Sequence, residues 1–207
     1  EVSGLGTYSV TPRASQATIS APEKQPRSAR IARRAARMVA LAGYDMPVNY
    51  PTGIIAEHKQ CRASAALFDV SHMGQVRLVG DDAARALETL VPMDVQGLAV
   101  GKQRYAFFTN SSGGILDDLM VTRRENDLLL VVNAGNKVAD IQHLVTNIAH
   151  RCQVVPVPAR ALLALQGPLA GAALGHLNPA VAQLTFMSGG SFRLAGADCY
   201  VTRSGYT

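Results

Sequence analysis

Two carboxylates stand side by side in the run Asn110-Ser111-Ser112-Gly113-Gly114-Ile115-Leu116-Asp117-Asp118-Leu119. The glycine pair before them lets a backbone approach a ligand closely. On a strand, adjacent side chains point to opposite faces. One of Asp117 and Asp118 therefore faces solvent, and the other faces inward or into a cleft. An inward carboxylate beside Leu116, Leu119 and Met120 is costly to bury unless it is paired or put to use. The alternative is a hairpin acid satisfied by turn amides, and the pattern alone leaves both readings open.

Three other segments carry reactive or recognising groups. Phe68-Asp69-Val70-Ser71-His72-Met73-Gly74 places an acid, a hydroxyl and an imidazole within four residues. A hydrolytic triad is defined by spatial geometry, and its members usually come from separate parts of the chain. No Gly-x-Ser-x-Gly elbow accompanies this run, so His72 reads as structural. The five histidines lack the spacing of metal ligands, which argues against a metal site. Gly43-Tyr44-Asp45-Met46-Pro47-Val48-Asn49-Tyr50 offers side chains that line a flat heterocycle's pocket as readily as they pack a core. Val131-Val132-Asn133-Ala134 ends an apolar run with an amide able both to donate and to accept.

The elements that must position these groups follow from period and punctuation. Residues 75–79 alternate as a half-buried strand does. Asp81 or Asp82 opens a short helix that Pro92 stops. Residues 105–109, 119–122 and 128–132 read as strands, turned by Asn110–Gly114 and by Arg124-Glu125-Asn126-Asp127. Val138, Ile141, Leu144, Val145 and Ile148 recur at helical spacing. Residues 161–165 form a short strand, and Gly167-Pro168 opens a helix expected to turn Leu169, Ala172, Ala173 and Leu177 inward. Residues 192–194 and 199–202 close a hairpin. Hairpins alternate with isolated helices, so the class is α+β with antiparallel sheet.

Composition bounds the rest. The chain has 207 residues, 48% hydrophobic and 17% charged, which excludes disorder of the whole and is ample for a core. No apolar run approaches the roughly 20 residues of a membrane helix. Cys61, Cys152 and Cys199 are too far apart for a zinc knuckle or a disulfide framework, which favours a reducing compartment. The net charge of +5 sits wholly in residues 1–37, and residues 38–207 are balanced at 13 basic and 13 acidic side chains. Nucleic-acid binding needs its basic surplus on the folded body and is not expected. Residues 1–35, rich in Ser, Pro and Arg, read as a disordered, dispensable extension. A transit peptide, a tail and a stretch foreign to the rest all fit that composition.

Taken in order, these segments resemble the glycine cleavage system T-protein family, the aminomethyltransferases. The resemblance runs through Ala36-Arg37-Met38-Val39, Ala42-Gly43-Tyr44-Asp45-Met46-Pro47-Val48, Gly53-Ile54-Ile55-Ala56-Glu57-His58 and the run from Leu67 to Gly74. It continues through Gly113-Gly114-Ile115-Leu116-Asp117-Asp118-Leu119, Val131-Val132-Asn133-Ala134, Leu165-Gln166-Gly167-Pro168 and Arg203-Ser204-Gly205-Tyr206-Thr207. It covers about 170 of the 207 residues. The resemblance implies transfer of a one-carbon unit from the aminomethyl-lipoyl arm of H-protein to tetrahydrofolate. Ammonia is released and 5,10-methylenetetrahydrofolate forms. The family's catalytic aspartate falls on Asp118, Tyr105 and Asn133 match positions lining the folate pocket, and Met73 lies where an apolar side chain packs against the ligand. No metal, nucleic acid or membrane is implied. The compartment is the mitochondrial matrix in a eukaryote and the cytoplasm in a bacterium.

By the same resemblance, residues 36–74 with 157–207 form an incomplete first folate-binding domain, and residues 75–156 an inserted second α+β domain. The family's opening Thr-Pro-Leu-Tyr-like segment is not found in residues 1–35. Its further carboxylate, its arginine-bearing motif and its third, β-rich domain follow the Gly-Tyr-Thr at which this sequence stops. The 207 residues are therefore expected to be the N-terminal half of a three-domain fold, inactive alone. Two alternatives share the fold. The folate-binding half of a dimethylglycine- or sarcosine-type dehydrogenase would follow a flavin domain, and residues 1–35 hold no Gly-x-Gly-x-x-Gly. A non-catalytic folate-binding iron–sulfur assembly protein would carry Lys-Gly-Cys-Tyr, which this chain does not show.

Overall fold

The computed structural model describes residues 7–12 and 35–205. In chain order the elements begin with β1 (Thr7–Pro12), β2 (Arg37–Leu41), β3 (Tyr44–Asn49), α1 (Ile54–Ala63) and β4 (Ala66–Asp69). Next come β5 (Gly74–Val79), α2 (Ala83–Leu87), β6 (Gln103–Thr109), β7 (Ile115–Arg123), β8 (Leu128–Val132) and α3 (Lys137–Ile148). The chain ends with β9 (Gln153–Pro156), β10 (Leu163–Gln166), α4 (Ala170–Leu177), a 3-10 turn (Pro179–Gln183), β11 (Ser188–Leu194) and β12 (Ala197–Ser204). Every strand pairing described is antiparallel, as an α+β chain requires.

One sheet runs β6-β7-β8-β5-β9. Its inner face alternates through Val76, Leu78, Ala106, Phe108, Leu119, Val121, Leu130 and Val132, which pack with Leu87, Leu144 and Ile148 of α2 and α3. The period of two thus separates a buried face from a second face free for other work. The turn between β6 and β7 forms as its residues suggest: Gly113 takes φ +79°, and Asn110 Oδ1 accepts from the amides of Ser112 (3.1 Å) and Gly114 (2.8 Å). At the β7–β8 turn, buried Asp127 accepts from Arg77 and Arg124, each at 2.6 Å.

The second sheet runs β11-β12-β1-β10-β4, over a smaller core of Ala170, Leu174, Val181, Leu194, Cys199 and Val201. Gly167, at φ +117°, connects β10 to α4. A Cβ there would stand 2.4 Å from the Ser64 carbonyl, so glycine is required. Backbone contacts join the two sheets: Gln103 N donates to Met187 O at 3.0 Å, and Gly189 N to Gly101 O at 2.8 Å.

Several expectations need correction. The disordered extension drawn over residues 1–35 does not hold at Thr7–Pro12: β1 lies between β10 and β12 and pairs with both. Thr7-Tyr8-Ser9-Val10-Thr11 alternates polar and apolar as a strand does, a signal masked by the Ser-, Pro- and Arg-rich stretch around it. Strands on both sides supply its hydrogen bonds. The other residues of that extension before Ala35 lie outside the described residues. Helix α4 turns Ala170 and Leu174 inward, while Leu169 and Leu177 are 51% and 54% exposed and Ala172 and Ala173 are also exposed. In α3 the buried row is Asp140, Leu144 and Ile148, and Val138 is 78% exposed. Asp82 precedes α2 without a side-chain cap because its carboxylate is taken by Arg151 at 2.6 Å.

Candidate functional site

The second face of the β6-β7-β8 ladder assembles the site. Tyr105 opposes Met120, Phe107 opposes Asp118, and Met120 opposes Val131. With the period of two, Tyr105, Phe107, Asp118, Met120, Val131 and Asn133 share one face. On that face the Tyr105 hydroxyl donates to Asp118 Oδ2 at 2.6 Å. Asn133 Nδ2 donates to Asp118 Oδ1 at 2.7 Å and to the Asp118 carbonyl at 3.3 Å. Three of the residues singled out from sequence are thus joined directly. The Tyr105 ring stands edge-on to Phe107, centroids 5.0 Å apart, and Tyr105 is 40% exposed.

Asp117 points the other way, as its neighbour's position demands. Its Oδ1 accepts from Asn133 Nδ2 at 3.0 Å, so this one amide bridges both acids. Burial pushes the Asp117 carboxyl up, but hydrogen bonds from Asn133, the Asp118 amide, Asp140 and Asn136 outweigh it and hold the group below the usual carboxylate range. Asp140 behaves oppositely. Burial, then its hydrogen bond and charge repulsion with Asp117, push its carboxyl up to about 7. Sequence reasoning missed Phe107 and Asp140. Counting by two from Tyr105 would have found Phe107. Counting back by four from Leu144 and Ile148 would have found Asp140 on their row, but an acid within an apolar stripe was passed over.

Met73 is half-buried, one residue before Gly74, whose ladder partner is Val132. That sets it beside Asn133 at the end of the ladder, and its amide donates to the Val70 carbonyl at 3.0 Å. The close approach needs Gly74: a Cβ there would lie 2.5 Å from Val132 and 2.9 Å from Lys137. The Asp69–Ser71–His72 run does not make a triad. Ser71 Oγ donates to Asp69 Oδ1 at 2.5 Å and accepts from the Leu162 amide at 3.0 Å, tying β4 to β10. His72 is lowered by burial, and its carbonyl accepts from Lys137 Nζ at 3.1 Å. Lys137 also donates to the Tyr44 hydroxyl and lies over its ring. A separate cavity of about 570 Å³, lined by Asn49, Thr52, Gly53, Ile54, Ile55 and Ala56, contains none of the four residues singled out from sequence.

Among the described residues, each oxygen of the Asp118 carboxylate is held by one side-chain donor, which leaves acceptor capacity for a ligand. Beside it lies an aromatic edge on an open sheet face. Such a group can accept from the N–H groups of a flat, nitrogen-rich ring and hold that ring in one orientation. Among the described residues no cluster of three or more His, Cys, Asp or Glu side chains is arranged to hold a metal ion.

Comparison with known proteins agrees in sequence and in shape. Residues 28–207 match the family model described as the GCVT N-terminal domain. The mitochondrial aminomethyltransferase of Dictyostelium discoideum is 38% identical over 182 residues, which are 83% of this chain and 45% of that protein. That of Flaveria trinervia is 41% identical over 181 residues, 83% of this chain and 44% of its own. The aminomethyltransferase of Rubrobacter xylanophilus is 41% identical over 179 residues, 83% of this chain and 47% of its own. The chain thus spans a little under half the length of these relatives. The crystal structure of glycine cleavage system aminomethyltransferase T from Bartonella henselae superposes with a TM-score of 0.78 at 36% identity, covering 88% of this chain and 53% of that one.

Proposed function

From the membership of this chain in the glycine cleavage T-protein family, through its GCVT N-terminal domain, we propose that it forms the folate-binding half of an aminomethyltransferase. The one-carbon unit comes from aminomethyl-lipoyl H-protein and passes to tetrahydrofolate. Tetrahydrofolate supplies two amine nitrogens that take up the carbon as its bonds to sulfur and to the departing nitrogen break; their two protons leave with the thiol and with ammonia.

The observation that carries this reading is the fixed Asp118 carboxylate, held by Tyr105 and Asn133 at 2.6 and 2.7 Å. Asp118 accepts from the pterin-side N–H groups and keeps the attacking amine aimed at the incoming carbon. Tyr105 and Asn133 keep that carboxylate from swinging away, and Met73 packs against the ligand from the end of the ladder. The donor set suits the group: an anionic acceptor flanked by aromatic surface fits a flat ring rich in N–H donors.

The domain division follows the same reading. Residues 75–156 are an insertion into a first domain of residues 36–74 and 157–207, to which β1 is added. It is supported by the order of strands, since β5 to β9 form one sheet between β4 and β10 of the other. For a eukaryotic source the compartment is the mitochondrial matrix, in line with relatives named mitochondrial, and for a bacterial source the cytoplasm. Among the described residues no helix is long and apolar enough to cross a membrane.

The test is single-turnover assay of the protein with aminomethyl-loaded H-protein, with and without tetrahydrofolate, in wild type and Asp118→Asn. Folate-dependent ammonia release that the substitution leaves unchanged would overturn the assignment of Asp118.

A further inference from the structure

Asp140 is only 4% exposed and lies on α3 facing the acid pair of β7. Its carboxyl lies beside that of Asp117, and each of the two acts on the other's proton affinity. Two carboxylates in contact can bond only if one holds a proton, and like charges this close in a buried place cannot both ionise. Among the described residues, the Oδ2 of Asp117 and that of Asp140 are each buried without a conventional donor. That is the pattern expected where one acid lends its proton to the other.

We infer that Asp140 is a positioning residue for Asp118, acting through a three-link relay. The Asp140 acid donates its O–H to Asp117, which stays anionic. Asp117 holds Asn133 Nδ2 at 3.0 Å, and the same nitrogen holds Asp118 Oδ1 at 2.7 Å. Tyr105 closes the far side on Asp118 Oδ2. Without the Asp140 proton, Asp117 would face a second buried anion and be driven from its place. The amide that aims Asp118 would then lose one of its two anchors.

Among the described residues, the other groups that face Asp140 are acidic, uncharged or engaged elsewhere. From β7 it faces Asp117 and Asp118, both acidic. On α3 itself, Lys137 is taken up by Tyr44 and the His72 carbonyl. His143 is lowered by burial and rests its ring against Phe108 of β6, centroids 5.4 Å apart. β8 offers Val132 to this core, and β9 holds no titratable residue. The proton therefore belongs to the acid pair, whose titration is that of the pair taken together.

What Asp118 is held ready to bind rests on the folate reading; the relay does not, and its test needs no folate. The 207-residue chain, labelled with ¹³C at aspartate carboxyls and ¹⁵N at asparagine amides, is titrated by NMR from pH 3 to 9. Wild type should show one carboxyl of the pair titrating near 7, far above the ordinary value of about 3.9. The Asn133 side-chain amide should shift with the same midpoint. In Asp140→Asn the high titration should vanish and the Asn133 amide stay constant, because asparagine still donates to Asp117. Asp140→Ala, which cannot donate, should move the Asn133 amide at every pH. Ordinary titration of every aspartate in wild type, or an Asn133 amide indifferent to pH between 5.5 and 8.5, overturns the inference. Should Asp140→Ala fail to fold, wild type against Asp140→Asn decides alone.

Discussion

Asp118 owes its readiness to two neutral donors on its two oxygens, and each can be removed singly. Asp118→Asn is expected to lower turnover by about 100-fold or more while weakening folate binding much less, since the interaction matters most as the amine attacks. Stopped turnover and calorimetry on one preparation separate the two effects. The buried acids also predict how stability responds to pH, with opposite signs. Asp127, raised by burial but lowered further by Arg124 and Arg77, has a depressed folded value. Its contribution is present above the ordinary carboxylate range and is lost as pH falls through that depressed value. The Asp140 site is raised to about 7 from 3.8, so the folded protein holds a proton the unfolded chain has released. Stability from this group is present below pH 3.8 and is lost as pH rises toward 7 and past it. The melting temperature of wild type should therefore fall more steeply between pH 5 and 8 than that of Asp140→Asn, and equal slopes would contradict the assignment.

At the scale of elements, helix phase decides what a substitution costs. Leu144 is fully buried and Val138 is 78% exposed, although both belong to the apolar stripe read from the sequence of α3. Leu144→Ala is expected to cost about 2–5 kcal/mol and Val138→Ala within about 0.5 kcal/mol of nothing. Urea denaturation of the two variants distinguishes the observed phase from the alternative. Gly167 plays a different part: it lets the chain enter α4 against the end of α1 at a φ of +117°. In Gly167→Ala a methyl group would meet the carbonyls of Ser64 and Cys61 at 2.4 and 2.5 Å. Strained backbone and overpacking together should cost about 2–5 kcal/mol, again read by denaturant midpoint.

For the molecule as a whole, the central strand of one sheet comes from the far end of the chain. β1 pairs with β12 over six residues and with β10 over three. Deleting residues 1–12 would open both edges, and exposed strand edges invite aggregation. A fall in melting temperature of roughly 10 °C or more is expected on thermal scanning; an unchanged value would restore the view of this segment as dispensable. The site itself lies on an open face, with Tyr105 40% exposed. A ligand's polar edge needs partners on more than one side to be held tightly. The 207-residue chain by itself is therefore expected to bind tetrahydrofolate more weakly than a full-length relative by 100-fold or so, on the order of 3 kcal/mol. Calorimetry on the two proteins measures the difference directly.

Local chemistry was legible in the residues themselves. Alternation placed Asp117 and Asp118 on opposite faces, and Asn110 and Gly113 announced the turn before them. The antiparallel α+β class followed from hairpins alternating with isolated helices and from the lack of a regular βαβ repeat. The family resemblance brought Tyr105, Asn133 and Met73 to attention. The ladder joins Tyr105 and Asn133 to Asp118 and leaves Met73 at its end, next to the partner of Val132. Such features depend on a few consecutive residues, so propensity and period suffice to read them. What only the tertiary structure decided depends on partners remote in sequence. Thr7–Pro12 alternates as a strand does, but its central place between β10 and β12 came from partners more than 150 residues away. The surface it meets turned α3 so that Ile141, Leu144 and Ile148 of its apolar stripe are inward and Val138 and Val145 are outward, while α4 leaves Leu169 and Leu177 exposed. Asp140 gained its role from Asp117, across a fold that brings a helix against the strand before last. A buried acid is intelligible only beside the group that shares its proton, and chain topology alone supplies that neighbour.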